Sequence, residues 1–299
     1  MNASTRPQTI ADLPAQHAEA PATAAQASAR YFNTGNAFDV RLPVVPDHSF
    51  TAEPATAFLD STPTSLIACD ASAEMGGVTP ATTPLSLVRY AKIKAGETLH
   101  TEFVASGIIV YVIKGSGSTD SDGEIIEWDA GDVDAVLWIV TNEPQLAFEH
   151  LRAPAPGHAP TGVVHYPANE IDRQIDLLYR VGRGKDTPGS ALIFSAAAQE
   201  ATRNVLPTLT VAMNSLPAGD AQRPHRHNSM AVALVIQGQG CYSMIDGRRK
   251  DWSQWATTIT PPVSVHSHHN GGEQRAMFLI VQDGGLYYYT RAMGFSFAD

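Results

Sequence analysis

The strongest constraint on how this chain can fold is an internal duplication. Pro84-Leu85-Ser86-Leu87-Val88 aligns with Pro207-Thr208-Leu209-Thr210-Val211 at a separation of 123 residues, and Ala95-Gly96-Glu97 aligns with Ala218-Gly219-Asp220 at the same separation. Val112-Ile113-Lys114-Gly115-Ser116-Gly117 then falls on Val235-Ile236-Gln237-Gly238-Gln239-Gly240. After a one-residue shift, Asp122-Gly123 with Trp128 falls on Asp246-Gly247 with Trp252. A period this long is not that of a solenoid, so it predicts a tandem pair of similar small domains.

Each copy reads as strand, Gly turn, strand, Gly-x-Gly break, strand, Asp-Gly hairpin and a further strand, which is an all-β plan. The expected organisation is an N-terminal arm over residues 1–40, a first β-domain over 41–150, a connector over 151–200 and a second β-domain over 201–299. The arm is rich in Ala, Gln, Thr and Pro with little periodic hydrophobicity, and reads as flexible or loosely helical. In the connector, Ile171, Ile175, Leu178 and Tyr179 recur at helical spacing and predict one helix over Ala168 to Val181. Tyr287-Tyr288-Tyr289 reads as a late strand.

The 299 residues carry a formal net charge of −10, and Arg248-Arg249-Lys250 is the single short basic run. This balance excludes a nucleic-acid or anionic-membrane surface, both of which need clustered Lys and Arg. No apolar run approaches a membrane span, and Met1 to Arg30 lacks the compact apolar stretch of a secretory signal. Cys69 and Cys241 have no spacing that suggests a disulfide framework or zinc knuckle, so reduced thiols and a cytoplasmic location are expected.

Five of the eleven histidines fall between residues 225 and 269. In Pro224-His225-Arg226-His227 the one-residue gap places both imidazoles on one face of a strand, about 7 Å apart along it. That makes a metal clip, to which His266 can add a third ligand from a neighbouring strand. The first copy holds Glu102 and Val104 where the second has His225 and His227, and Asn142 where it has His266. With His100 as its nearest histidine, the first copy is expected to be structural and the second to bind metal.

Gly219 followed by His-x-His, the Gly238-Gln239-Gly240 turn, and Pro261-Pro262 followed by His266 resemble the two motifs of the cupin superfamily in a bicupin arrangement. The resemblance covers roughly residues 80 to 290 and implies two tandem jelly-roll β-barrels, with ligands projecting from inner strands into the barrel mouth. Many cupins add a glutamate four or five residues after the second histidine, where this chain has Ala231 and Val232. The implied site is three neutral histidines, His225, His227 and His266, without a carboxylate. Among bicupins, this set with a Thr-Pro-Pro and His-x-His-x-Asn second motif is similar to gentisate, salicylate and 1-hydroxy-2-naphthoate dioxygenases.

The resemblance implies Fe(II), O2 and ring cleavage of a hydroxylated aromatic acid, although imidazole also suits Mn, Ni or Zn. A metal-dependent cupin acting as isomerase, decarboxylase or hydrolase, and a cupin that binds a ligand without turnover, are the alternatives. His268, two residues from His266, is expected as a hydrogen-bond partner of the ligands or a rim residue; His269 and Asn270 are expected in the following turn. Arg248 is a guanidinium candidate for substrate, although Asp-Gly-Arg-Arg reads first as an exposed hairpin. Gln237 can face inward or outward. Open sheet edges and the family resemblance together imply a homo-oligomer, either dimer or tetramer.

Overall fold

The computed structural model describes residues 7–121, 123–129, 131, 133–182 and 189–298; Asp122 of the first Asp-Gly landmark lies outside the described residues. The chain divides into two units, Met1–Pro43 and Val44–Asp299. In the first, a 3-10 turn at Ile10–Asp12 precedes an isolated bridge between Gln16 and Tyr31, and the short helix α1 (Ala24–Ser28) lies within the segment the bridge closes. Asp12 closes its own turn by accepting from the Thr9 N–H at 2.8 Å.

The second unit opens with β1 (Ser49–Phe50), α2 (Ala52–Phe58) and β2 (Ser65–Cys69). The first copy follows as β3 (Leu87–Ile93), β4 (Ile108–Lys114), β5 (Gly117–Ser121), β6 (Glu124–Trp128), β7 (Ala135–Thr141) and α3 (Glu143–Glu149). Between the copies lie α4 (Ala168–Val181) and β8 (Ser190–Phe194). The second copy comprises β9 (Thr210–Leu216), β10 (His225–His227), β11 (Ala231–Gln237), β12 (Cys241–Ile245), β13 (Arg248–Asp251), β14 (Thr257–Thr260), β15 (His266–Asn270), β16 (Ala276–Gln282), α5 (Gly284–Thr290) and β17 (Phe295–Phe297).

The strands form sheets ordered β1-β14-β11-β16-β9-β8, β13-β12-β15-β10-β17 and β2-β3-β7-β4, with β5 and β6 as a separate hairpin. The expected all-β jelly-roll architecture is present, and α4 spans the residues its periodicity predicts, with Ile175 buried. Among the described residues, no helix is long and apolar enough to cross a membrane. Residue chemistry accounts for the turns: Ile245 pairs with Arg248 across Asp246 and Gly247, both at positive φ, the conformation a two-residue hairpin of matching twist requires.

β7 is buried along its whole length, which explains its unbroken apolar run. Leu137 and Ile139 face an apolar interior with Ala91, Leu99, Phe103 and Trp128. Val136, Trp138 and Val140 face the other way, into the largest core, where they join Tyr90 and Val88 with Met213, Leu234, Ile259 and Val281 of the second copy. The copies therefore share a core. Polar ties cross it: Trp138 Nε1 donates to Thr257 Oγ1 at 2.9 Å, and the Tyr90 hydroxyl lies 2.8 Å from the same Thr257 oxygen and donates to the Trp255 carbonyl.

Strand pairing sharpens the repeat and corrects one alignment. Thr141 of β7 pairs with Leu87 and Ile108, as Gln282 of β16 pairs with Thr210 and Ala231. A bulge recurs between Val112 and Lys114 and between Val235 and Gln237. Leu87 to Thr210 and Ile108 to Ala231 are each 123 apart, but Thr141 to Gln282 is 141, so the second copy is eighteen residues longer before its last strand. β14 and β15 occupy that extra length; among the described residues, none between Trp128 and Ala135 forms a strand. Asn142 thus corresponds to Asp283 rather than to His266, and both residues lead into a helix.

Two further expectations are corrected. Tyr287–Tyr289 lie in α5, because Asp283 ends β16 by accepting the Met230 N–H at 2.8 Å and the chain turns into a helix that leaves Tyr289 outside; tertiary context overrides the β-preference of the tyrosines. His269 and Asn270 continue β15, where they pair with Tyr242 and Cys241.

Candidate metal centre

β10 is three residues long and lies between β15 and β17. Its alternation buries His225 and His227 while Arg226 points outward to Ser296. His225 pairs directly with His266 on one side and with Phe297 on the other. The ring centroids of His225 and His227 are 6.0 Å apart, and that of His266 is 4.4 Å from the first and 4.8 Å from the second. One ligand atom from each of the three lies within 4.8 Å of the others.

Each imidazole is oriented by a backbone carbonyl two residues away: His225 Nδ1 bonds Arg223 O at 2.9 Å, His227 Nδ1 bonds Ser229 O at 2.8 Å, and His266 Nδ1 bonds Ser264 O at 2.9 Å. A carbonyl only accepts, so all three Nδ1 atoms carry the proton and all three Nε2 atoms hold a lone pair. A histidine used as a metal ligand is commonly fixed through its other nitrogen in this way.

Burial lowers the pKa of His225 and His227. His266 is pushed down to about 3, first by burial and then by the two neighbouring imidazoles. The rings are therefore neutral at pH 7, the state a metal ligand requires. Three neutral nitrogen donors fit a divalent first-row transition metal and leave its charge uncompensated. Among the described residues, this is the one group of three or more His, Cys, Asp or Glu with ligand geometry. In the first copy, His100, Glu102 and Val104 are exposed and lie outside any strand.

The other sequence candidates have different surroundings. His268 is buried behind His266, with centroids 5.8 Å apart; its Nδ1 bonds Ser243 Oγ at 2.8 Å, and its ring packs on Trp252 and Phe278. Arg248 shares a sheet face with His266 through Ile245, but it stands on the edge strand, paired with Asp47 at 2.9 Å and largely exposed. Gln237 ends β11 far from the histidines, and its amide donates to Gln274. Sequence reasoning passed over Gln282, whose Nε2 lies 3.1 Å from His227 Nε2, and Phe295, whose ring lies 5.3 Å from His225. A polar residue in register with inward-facing Phe278 and Ile280 was the available signal for Gln282.

No family model matches the chain. The structure resembles salicylate 1,2-dioxygenase from Pseudaminobacter salicylatoxidans, with a TM-score of 0.65 over 85% of this chain and 88% of that one at 14% identity. A gentisate adduct of that enzyme gives 0.66 over 86% of each chain at 13% identity. The fold is that of a bicupin. By sequence, the chain is 32% identical to a gentisate 1,2-dioxygenase from Ralstonia sp over 127 residues, 42% of this chain and 31% of that protein. It is 31% identical to a 1-hydroxy-2-naphthoate 1,2-dioxygenase from Nocardioides sp. strain KP7 over 80 residues, 26% of this chain and 21% of that protein. The chain thus spans less than a third of the length of either relative.

Proposed function

We propose that this bicupin is an Fe(II)-dependent ring-cleaving dioxygenase of a hydroxylated aromatic acid. The observation that carries this reading is a cluster of three buried imidazoles, each with a ligand atom within 4.8 Å of the others and each with its Nδ1 tied to a backbone carbonyl. Gentisate, salicylate and 1-hydroxy-2-naphthoate, the compounds named for the similar proteins, each present a carboxylate and a hydroxyl on an aromatic ring. Iron would supply a Lewis-acidic, redox-active centre that attracts such an anionic chelator and O2.

The chain's own residues serve that chemistry by holding and shielding the site. His225, His227 and His266 would hold the metal, each fixed in rotation by its carbonyl. Phe295 and Phe297 come from β17 on the histidine side of β10, where Phe295 packs against His225. Ala231 and Ala233 on the facing sheet are buried and small. His268, hydrogen-bonded to Ser243, supports His266 from behind.

In this proposal residues 41–150 and 201–299 are the two cupins, residues 151–200 join them, and the metal belongs to the second. The cytoplasm is the assigned compartment, in keeping with two free buried cysteines. A homo-oligomer is the assigned assembly, supported by β4, which ends its sheet with Ile108 and Val110 exposed. Anaerobically Fe(II)-loaded protein should consume O2 and change the aromatic absorbance with at least one of gentisate, salicylate and 1-hydroxy-2-naphthoate. Absence of uptake with all three would overturn the dioxygenase reading and leave non-oxidative metal chemistry or ligand binding.

A further inference from the structure

The three-histidine reading leaves one polar side chain at the site without a role. Gln282 ends β16, in the sheet opposite the histidine-bearing strands, and alternation with Phe278 and Ile280 turns it inward. Its cross-strand neighbours Ala231 and Thr210 are small, so nothing long flanks it. Its backbone is held from both sides by β11 and β9, which leaves rotation to the side chain alone.

The carboxamide reaches across the interior, and Nε2 lies 3.1 Å from His227 Nε2. His227 Nδ1 carries the ring proton, since it bonds Ser229 O, so the amide N–H donates to the lone pair on Nε2. A metal takes that same lone pair. The amide hydrogen would then face a cation, which repels it, while the amide oxygen on the same head group would be attracted. A half-turn about the terminal side-chain torsion, which is broad and nearly two-fold, exchanges the two.

We propose that Gln282 is a fourth donor in the metal-loaded, substrate-free site, binding through Oε1. The inference rests on the three-histidine reading above and supplies the donor that Ala231 and Val232 cannot. A carbonyl oxygen is an accepted ligand for hard divalent ions. Being neutral, it leaves the charge of the ion uncompensated, so an anionic chelating substrate is still attracted. As a weaker donor than a carboxylate, it can also be displaced by one.

The test is a titration of metal-free protein with Zn(II) or Co(II) against a competing chelator, for the wild type and for Gln282→Leu, Gln282→Glu and His225→Ala. Gln282→Leu keeps the bulk of the side chain and should bind about tenfold more weakly or worse, the scale seen when groups around a metal are removed. Gln282→Glu keeps an oxygen donor and should bind at least as tightly as the wild type, and the visible absorption of Co(II) should differ between the two variants. If Gln282→Leu binds as tightly as the wild type, or more tightly, the amide only competes for the His227 lone pair and the assignment falls. His225→Ala separates the two levels. Loss of binding there alone overturns the Gln282 role, and unchanged binding in both His225→Ala and Gln282→Leu overturns the three-histidine site beneath it.

Discussion

Each histidine of the centre is buried and held through Nδ1 by a backbone carbonyl, and its burial has a measurable cost in acid. In the folded chain His266 is held down to about 3, against an ordinary value of 6.5, and His225, His227 and His268 are lowered by burial in the same direction. Below pH 6.5 the unfolded chain therefore binds more protons than the folded one at these positions, and stability falls as pH drops from 6.5 toward 3. Asp283 acts in the opposite sense, since burial pushes it up to about 6 and the folded chain takes up its proton between there and its ordinary 3.8. Four groups outweigh one. Metal-free protein should unfold at lower urea concentration at pH 5 than at pH 7, and bound metal should raise the midpoint at both. Ser243 offers a second check at this scale. Its hydroxyl meets both His268 Nδ1 and Trp252 Nε1 at 2.8 Å, so Ser243→Ala should cost about 1–3 kcal/mol by leaving buried polar groups unpaired, read as a lower denaturation midpoint.

At the scale of elements, β10 depends on the strands beside it. β17 supplies its pairing on one side through His225 with Phe297 and His227 with Phe295. Deleting residues 293–299 should weaken metal binding and lower the thermal midpoint, because the histidine strand then becomes a sheet edge; chelator competition and calorimetry would read the two effects. The alternation of His225 and His227 was legible because a strand's period fixes it, and the Asp246-Gly247 turn was legible because few dipeptides tolerate two positive φ values. The partnership of β7 was not. Its apolar run fits several strands of the second copy equally well, and only its place between β3 and β4, matching β16 between β9 and β11, decides which one it is. Gln282 was hidden for the same reason, since its approach to His227 depends on two sheets facing each other and on no local pattern.

For the whole second unit, the shared core sets the terms of stability. Trp138 is fully buried and donates across the copies to Thr257, and Tyr90 reaches the Trp255 carbonyl beside it. Trp138→Ala should destabilise by about 3–5 kcal/mol, the range for emptying a large aromatic site, and should lower the stability of both copies together. Denaturant unfolding of residues 44–299, followed by fluorescence and by circular dichroism, should accordingly give coincident transitions. Two separated transitions would mean that the copies unfold independently. Self-association through the open edge of β4 should be sensitive to Val110→Lys, which puts a charge on that edge; sedimentation velocity would register a smaller species.

The eighteen-residue difference between the copies bears on how this molecule could change. Placing histidines at 102 and 104 is within reach of point mutation, yet among the described residues the first copy shows no strand equivalent to β15 on which a third could stand. Its apolar interior of Leu137, Ile139 and Phe103 already fills the space. Substitution alone therefore cannot give the first copy a matching three-histidine cluster: the asymmetry is written in chain length, and an insertion of a strand-turn-strand segment would be needed to remove it.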